Sequence, residues 1–313
     1  MNRMGLKDMQ SQLEAAVEQA ARFTGEGKVA AYIPELAKQD KNRLGASVCL
    51  LDGTLLTAGD AHVPFTLQSI SKIFSLMVAL CDHGQRYVFE RVGKEPTGDP
   101  FNSIVKLELI KPHKPLNPMI NAGAIAVAGM IAGASVEERL ARMLRLLRKM
   151  TGNPDLSVNE AVYRSEQETA NRNRALAYFL KDSGILEGDV EETLDFYFRH
   201  CAIETTAAEL ARLGAVLAAD GCDPASGERF IPREVARICK TFMVTCGMYN
   251  ASGAFAIDVG VPAKSGVAGG IMAAVPNRMG IGVYGPALDD KGNSLAGVKL
   301  LETISAEWNL SIF

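Results

Sequence analysis

The 313-residue chain lacks several things that would have named a function class at once. It has no excess of either charge: 33 Lys+Arg stand against 36 Asp+Glu, a net charge of -3, with no basic run longer than a helix face, which argues against a nucleic-acid partner. Its N-terminus mixes charges where a signal peptide would show a basic stub and an apolar stretch, so a cytoplasmic protein is expected. The longest apolar stretch, around Ile120 to Ala134, falls short of the roughly 18 residues of a membrane span. The six cysteines (Cys49, Cys81, Cys201, Cys222, Cys239, Cys246) form no CxxC, and four sit among apolar neighbours, as reduced core thiols do. The four histidines (His62, His83, His113, His200) form no HxxxH or HxH pair, so they read as solvent or loop residues and no metal is expected. Aromatic residues are only 6% of the chain; alongside Ala/Gly/Met-rich helices this leaves room for subunit contacts.

What is present is apolar material, 48% of the chain, enough for one large domain or two intimately packed subdomains. Helical spacing from Asp8 to Phe23 gives an entry helix, and Asp52-Gly53 between two short apolar runs signals a hairpin that begins a sheet. A buried helix opens near Ser69 and runs to Cys81, followed by a Gly- and Pro-broken connection from Gly84 to Pro118. Helical periods then fill Ala122–Ala132, Ser135–Thr151, Val158–Lys181, Gly188–Cys201, Ala207–Ala219 and Pro232–Thr245. Short runs at Ala254–Ile257, Ala263–Val267, Gly270–Val275 and Met279–Tyr284 read as strands, and Ser294–Trp308 as a closing helix beside the first. The fold class predicted is α+β: an antiparallel sheet with flanking terminal helices (approximately 1–68 and 250–313) plus an all-helical lobe (approximately 69–249), with a ligand cleft between.

Ser69-x-x-Lys72 puts a hydroxyl and an amine one helical turn apart, where a neutral lysine can take the serine proton. The spacing alone is weak: about one SxxK arises by chance in such a chain, and Ser103 and Lys106 match it too. Ser69 also suits a helix N-cap. A late Lys264-Ser265-Gly266, followed by small residues that let a ligand approach the backbone, restores specificity, because SxxK with a Lys-Ser-Gly strand is the order of the penicillin-recognising enzymes. Glu166 and Asn173, seven apart, read as one face of one helix, placing polar groups on an apolar stripe or on a solvated face. Asn121 opens an Ala/Gly helix, as a presenter of anions or a plain cap, and Tyr249 sits in a loop before the returning sheet, as a proton relay or as packing.

Taken in order, KVAAYIPELA, VPFTLQSISK, VGKEPTG, NPMINAGAI, VYRSEQETANRN, LDFYF, TCGMYNASGAFA and VPAKSGVAGG closely resemble the bacterial glutaminases of the serine β-lactamase-like superfamily, over roughly residues 25 to 300. The resemblance implies Ser69 as nucleophile, Lys72 as its base, Tyr249 as proton relay, and the backbone N–H groups of Ser69 and Val267 as oxyanion hole. It further implies that Glu166 meets the substrate α-ammonium while Tyr32, Asn121, Asn173 and Tyr197 hold the amino-acid end, with a homotetramer and no metal or organic cofactor. The expected reaction is hydrolysis of L-glutamine to L-glutamate and ammonia through a glutamyl-Ser69 ester, with activity rising toward alkaline pH as Lys72, its pKa lowered by desolvation or by a neighbouring positive charge such as Lys264, becomes neutral. The Ser-Asp-Asn element of β-lactamases is absent, so lactam chemistry is not carried over. An exported penicillin-binding enzyme and a sensor that kept the pocket without turnover are the rival readings.

Overall fold

The Asp52-Gly53 signal forms the turn it predicts. Gly53 adopts φ 85°, a region costly for other residues, and β1 (Gly45–Leu50) folds back on β2 (Leu55–Gly59). A computed structural model describes residues 5–100, 102–109, 111 and 113–313, and the side chain of Lys106, needed by the second Ser-x-x-Lys reading, lies outside the described residues. Two-residue strands β3 (Phe65–Thr66) and β4 (Glu204–Thr205) pair separately. β5 (Ala263–Ser265), β6 (Gly270–Val275) and β7 (Met279–Tyr284) complete a five-stranded antiparallel sheet in the order β2-β1-β7-β6-β5, which leaves β5 on an edge.

Twelve helices are described: α1 (Leu6–Ala21), α2 (Ser71–Arg91), α3 (Val105–Leu109), α4 (Asn121–Met130), α5 (Val136–Thr151), α6 (Glu160–Thr169), α7 (Asn171–Asp182), α8 (Val190–Cys201), α9 (Ala207–Ala218), α10 (Arg233–Cys246), α11 (Ser252–Asp258) and α12 (Leu295–Trp308). None is long and apolar enough to cross a membrane among the described residues. The sheet is covered on both faces, which is why β6 and β7 are buried throughout. On one face Val48, Ile271, Ile281 and Val283 pack with Leu13 and Val17 of α1 and Leu300, Ile304 and Trp308 of α12. The terminal helices are tied together by Trp308 Nε1, which donates to Gln12 Oε1 at 2.6 Å. On the other face Gly280 and Gly282 let α9 lie directly on the backbone: a Cβ at Gly280 would stand 2.0 Å from Ala215 N. The remaining helices other than α11, whose Phe255 joins the first core, gather around a second core that encloses the first half of α2, Ser71–Leu80.

The structure corrects four expectations. Val158–Lys181 is two helices broken at Ala170, with neither Gly nor Pro to mark the break, so Glu166 and Asn173 sit on α6 and α7. Ala254–Ile257 is helical, within α11; a four-residue apolar run does not distinguish helix from strand. α2 continues past Cys81 to Arg91 through a kink at Gly84. His200 is fully buried, so it is neither a solvent nor a loop residue. Of the cysteines, Cys49, Cys201 and Cys239 are buried and Cys81 is exposed.

Candidate active site

The turn that carries Ser69 is anchored before it is bent. β3 pairs with β4, Leu67 N–H donates to Ile203 O at 2.9 Å, and the chain then enters a 3₁₀ turn at Gln68–Ile70 that feeds α2. Gln68 makes that bend at φ 47°, a left-handed conformation that costs a non-glycine residue about 1–3 kcal/mol. Ser71 Oγ donates to Gln68 O at 2.6 Å from the first position of α2. Ser69 is therefore not the N-cap of the helix; it rides on the turn before it.

One turn on, Lys72 is almost fully buried among apolar neighbours, and burial lowers its ammonium pKa to about 8. Its Nζ donates to Asn121 Oδ1 at 2.6 Å and to Met119 O at 3.2 Å. Asn121 Nδ2 in turn donates to Asn173 Oδ1 at 3.0 Å, so the first turn of α4 links the amine to α7. Just before that helix, Asn117 Oδ1 accepts from the N–H groups of Met119 and Ile120 and fixes the turn that leads into Asn121.

Lys264 of β5 is also fully buried; burial and the nearby Lys72 hold its amine well below the ordinary lysine range. Its Nζ donates to Ser265 O at 2.7 Å and lies 4.7 Å from the centre of the Tyr249 ring. The Tyr249 phenol faces Ser69, which works against the upward push of burial on its pKa, and its backbone is left-handed at φ 52°. Gly266 brings β5 to the nucleophile turn: a Cβ there would stand 2.5 Å from Leu67 O.

Beside this group lies a cavity of about 140 Å³. Of the residues predicted from sequence, Tyr32, Ser69, Asn121, Glu166, Asn173 and Tyr197 line it together. Tyr249 lines an adjoining cavity of about 30 Å³, and Val267 lines neither; it sits in the 266–269 turn closed by Gly269 N–H to Gly266 O, next to Gly292 and the Tyr249 ring. Tyr32, 57% exposed, stands at the mouth. Ser103 lines a separate cavity of about 10 Å³, with Pro100, Leu107 and Ile120. Sequence reasoning missed Gln68, Asn102, Thr169, Arg172 and Cys201, which also line the main cavity; Gln68 and Arg172 adjoin predicted residues, which is the one signal they gave.

Glu166 is the unusual member. It is 7% exposed, burial raises its carboxyl pKa to about 8 against the pull of Lys72 and a hydrogen bond from Gln68, and its Oε2 has no hydrogen-bond partner among the described residues. A buried carboxyl oxygen left unmatched at the wall of a small cavity is set to receive a cation or donor from a ligand. An aliphatic amine as base, a phenol on the hydroxyl, and an acidic group across a small cavity together suit acyl transfer on a small cationic substrate.

Comparison with known proteins agrees with this arrangement. The sequence model of the family described as Glutaminase matches residues 27–313. A glutaminase of Clostridium botulinum (strain Hall) is 59% identical over 301 residues, covering 96% of this chain and 99% of that one. The crystal structure of a probable glutaminase of Bacillus subtilis superposes with a TM-score of 0.92 at 47% identity, covering 99% of both chains. A B. subtilis glutaminase in covalent complex with 5-oxo-L-norleucine, formed by reaction with 6-diazo-5-oxo-L-norleucine, gives a TM-score of 0.88 at 45% identity over 97% of this chain and all of that one. The α+β, β-lactamase-like architecture is common to them, and the chain belongs to the glutaminase family.

Proposed function

We propose that this chain hydrolyses the side-chain amide of L-glutamine to L-glutamate and ammonia through a glutamyl ester of Ser69. The observation that carries the reading is Ser69 at the edge of the cavity, facing the Tyr249 phenol, with a buried amine of pKa about 8 one turn along. Neutral Lys72 removes the Ser69 proton as Oγ attacks the amide carbon. The oxyanion is met by the N–H groups of Ser69 and Val267, each such donor being worth roughly 2.7–4 kcal/mol. The C–N bond then breaks as the proton held by Lys72 passes to nitrogen, directly or through Tyr249, and ammonia departs. Water, deprotonated by Lys72, opens the ester and regenerates Ser69.

Selection of a free amino acid needs both ends of the zwitterion recognised. Glu166 takes the α-ammonium, with Tyr32, Asn121, Asn173 and Tyr197 about the amino-acid end; the unmatched Oε2 and the cavity lining support this. We also propose a sheet subdomain (approximately 1–68 and 250–313) and a helical lobe (approximately 69–249) closing on the cavity, and a cytoplasmic homotetramer. Six free cysteines support the reducing location, and exposed Val105, Leu109 and Ile257 support subunit contacts.

The test is labelling with 6-diazo-5-oxo-L-norleucine followed by peptide mass spectrometry, together with ammonia release from glutamine. The expected adduct is on the peptide holding Ser69 and is lost in Ser69→Ala; an adduct at Ser103, or β-lactam turnover without ammonia release from glutamine, overturns the reading.

A further inference from the structure

We infer that Ser71 and His200, neither of which lines the cavity, are positioning residues that hold the Ser69 nucleophile through the backbone of Gln68. The inference rests on Ser69 being the nucleophile. Both residues are fully buried, 129 positions apart in sequence, and His200 Nδ1 lies 2.8 Å from Ser71 Oγ. Proton direction follows from the partners. Gln68 O can only accept, so the Ser71 hydroxyl proton is directed to it at 2.6 Å in preference to the Cys201 sulfur at 3.7 Å, and Ser71 Oγ then accepts from the ring. The imidazole must carry its proton on Nδ1. This gives a directed chain from His200 N–H through Ser71 O–H to the Gln68 carbonyl.

What the chain acts on is the left-handed residue bonded directly to Ser69. Gln68 O accepts from the Ser71 N–H as well as from its hydroxyl; with the hydroxyl bond lost, one bond in place of two holds the left-handed residue, and its relaxation toward negative φ swings the Ser69 hydroxyl out of line with Lys72. The Gln68 side chain bonds Glu166, so one residue connects the nucleophile turn to the acidic end of the cavity. The imidazole is steadied from the cavity side by Tyr197, whose ring meets it edge-on with centres 5.2 Å apart, and by Phe196 at the same distance. Burial lowers the His200 pKa to about 3, so the ring stays neutral and its tautomer does not change over the working pH range. His200 has no part in proton transfer with substrate; its effect is on the aim of Ser69.

The test compares Ser71→Ala, Ser71→Thr, His200→Leu and His200→Asn, the last placing an amide N–H near the position of Nδ1. Each is measured for the rate of inactivation by 6-diazo-5-oxo-L-norleucine, for glutamate affinity by calorimetry, and for melting temperature. Labelling of wild type at Ser69, with no labelling of Ser69→Ala, checks the nucleophile reading separately. Misplacement of a reacting group by ~1 Å costs on the order of 100-fold. Ser71→Ala and His200→Leu are therefore expected to slow inactivation at least about tenfold, while glutamate affinity moves far less. Ser71→Thr and His200→Asn are expected to keep most of the rate. Wild-type inactivation rates in Ser71→Ala or His200→Leu overturn the inference, as does His200→Asn failing as badly as His200→Leu. Should His200→Leu not fold, Ser71→Ala against Ser71→Thr decides it: equal losses that track melting temperature mean packing alone.

Discussion

Asn121→Asp isolates the requirement that Lys72 be neutral. The substitution keeps shape and replaces the neutral oxygen, 2.6 Å from Lys72 Nζ, with a carboxylate. Coulomb attraction at that separation is about 6 kcal/mol at an effective dielectric of 20 and about 1.6 kcal/mol in water. At 1.36 kcal/mol per pKa unit this is roughly 1 to 4.5 units of added preference for the ammonium. Because both side chains are buried, the aqueous figure is a floor. Lys72 starts at about 8, so its titration moves to 9 or above. In the proposed mechanism the neutral lysine is the working form, so the acid limb of kcat is expected to move the same way and turnover at pH 7.5 to fall about tenfold. Stopped ammonia assays from pH 6 to 10.5 at saturating glutamine measure it, with melting temperature as the fold control. A kcat limb at the wild-type position, with only KM raised, would refute the argument: Asn121 would then hold substrate and leave the Lys72 charge alone.

Other expectations follow from the same geometry. Burial raises the Glu166 carboxyl pKa to about 8, so the anion proposed to meet the substrate ammonium is populated only as pH climbs through that value. Wild-type KM for glutamine should therefore fall between pH 6 and 9, whereas Glu166→Gln should show a high KM, tenfold or more above wild type at pH 9, and little pH dependence; a wild-type KM at pH 9 sinks the assignment. His200 keeps its proton off down to about pH 3 when folded, while the unfolded chain takes one up near 6.5. Native stability is thus full above pH 6.5 and is lost as pH falls from there toward 3, and the difference in urea midpoint between wild type and His200→Asn should change across that window. Gly280→Ala puts a methyl 2.0 Å from Ala215 N and 2.1 Å from Ala211 O, so α9 must lift off β7. An overpacking cost of about 1–3 kcal/mol should lower the melting temperature by several degrees, and an unchanged melting curve would mean the contact yields without strain.

The sequence carried local chemistry well and long-range chemistry poorly. Ser69 and Lys72 share a helical turn, and β5 is a short edge strand with small residues after it, so both were readable from neighbours in the chain. The break at Ala170 carried no glycine or proline, and a continuous helical period across it hid the turn that sets Glu166 and Asn173 on separate helices. His200 was misread because its partner Ser71 is 129 residues away and a lone histidine gives no sign of burial. Gln68 was missed for a related reason: its role depends on a left-handed backbone, and glutamine does not announce one. The proposed part of Val267 rests on resemblance alone, since a backbone N–H has no side-chain signature.

The clasp between the terminal helices has a spectroscopic consequence. Trp308 is the sole tryptophan of the chain, 5% exposed, and it belongs to the α1–α12 side of the sheet, away from the cavity. Its emission is a one-channel reporter of whether those two helices remain docked, blind to ligand occupancy. Glutamate titration should leave the spectrum unshifted, and during urea unfolding the red shift will mark the moment the ends of the chain part. Run beside an activity trace, it will reveal whether the helical side and the sheet side come apart together or in sequence.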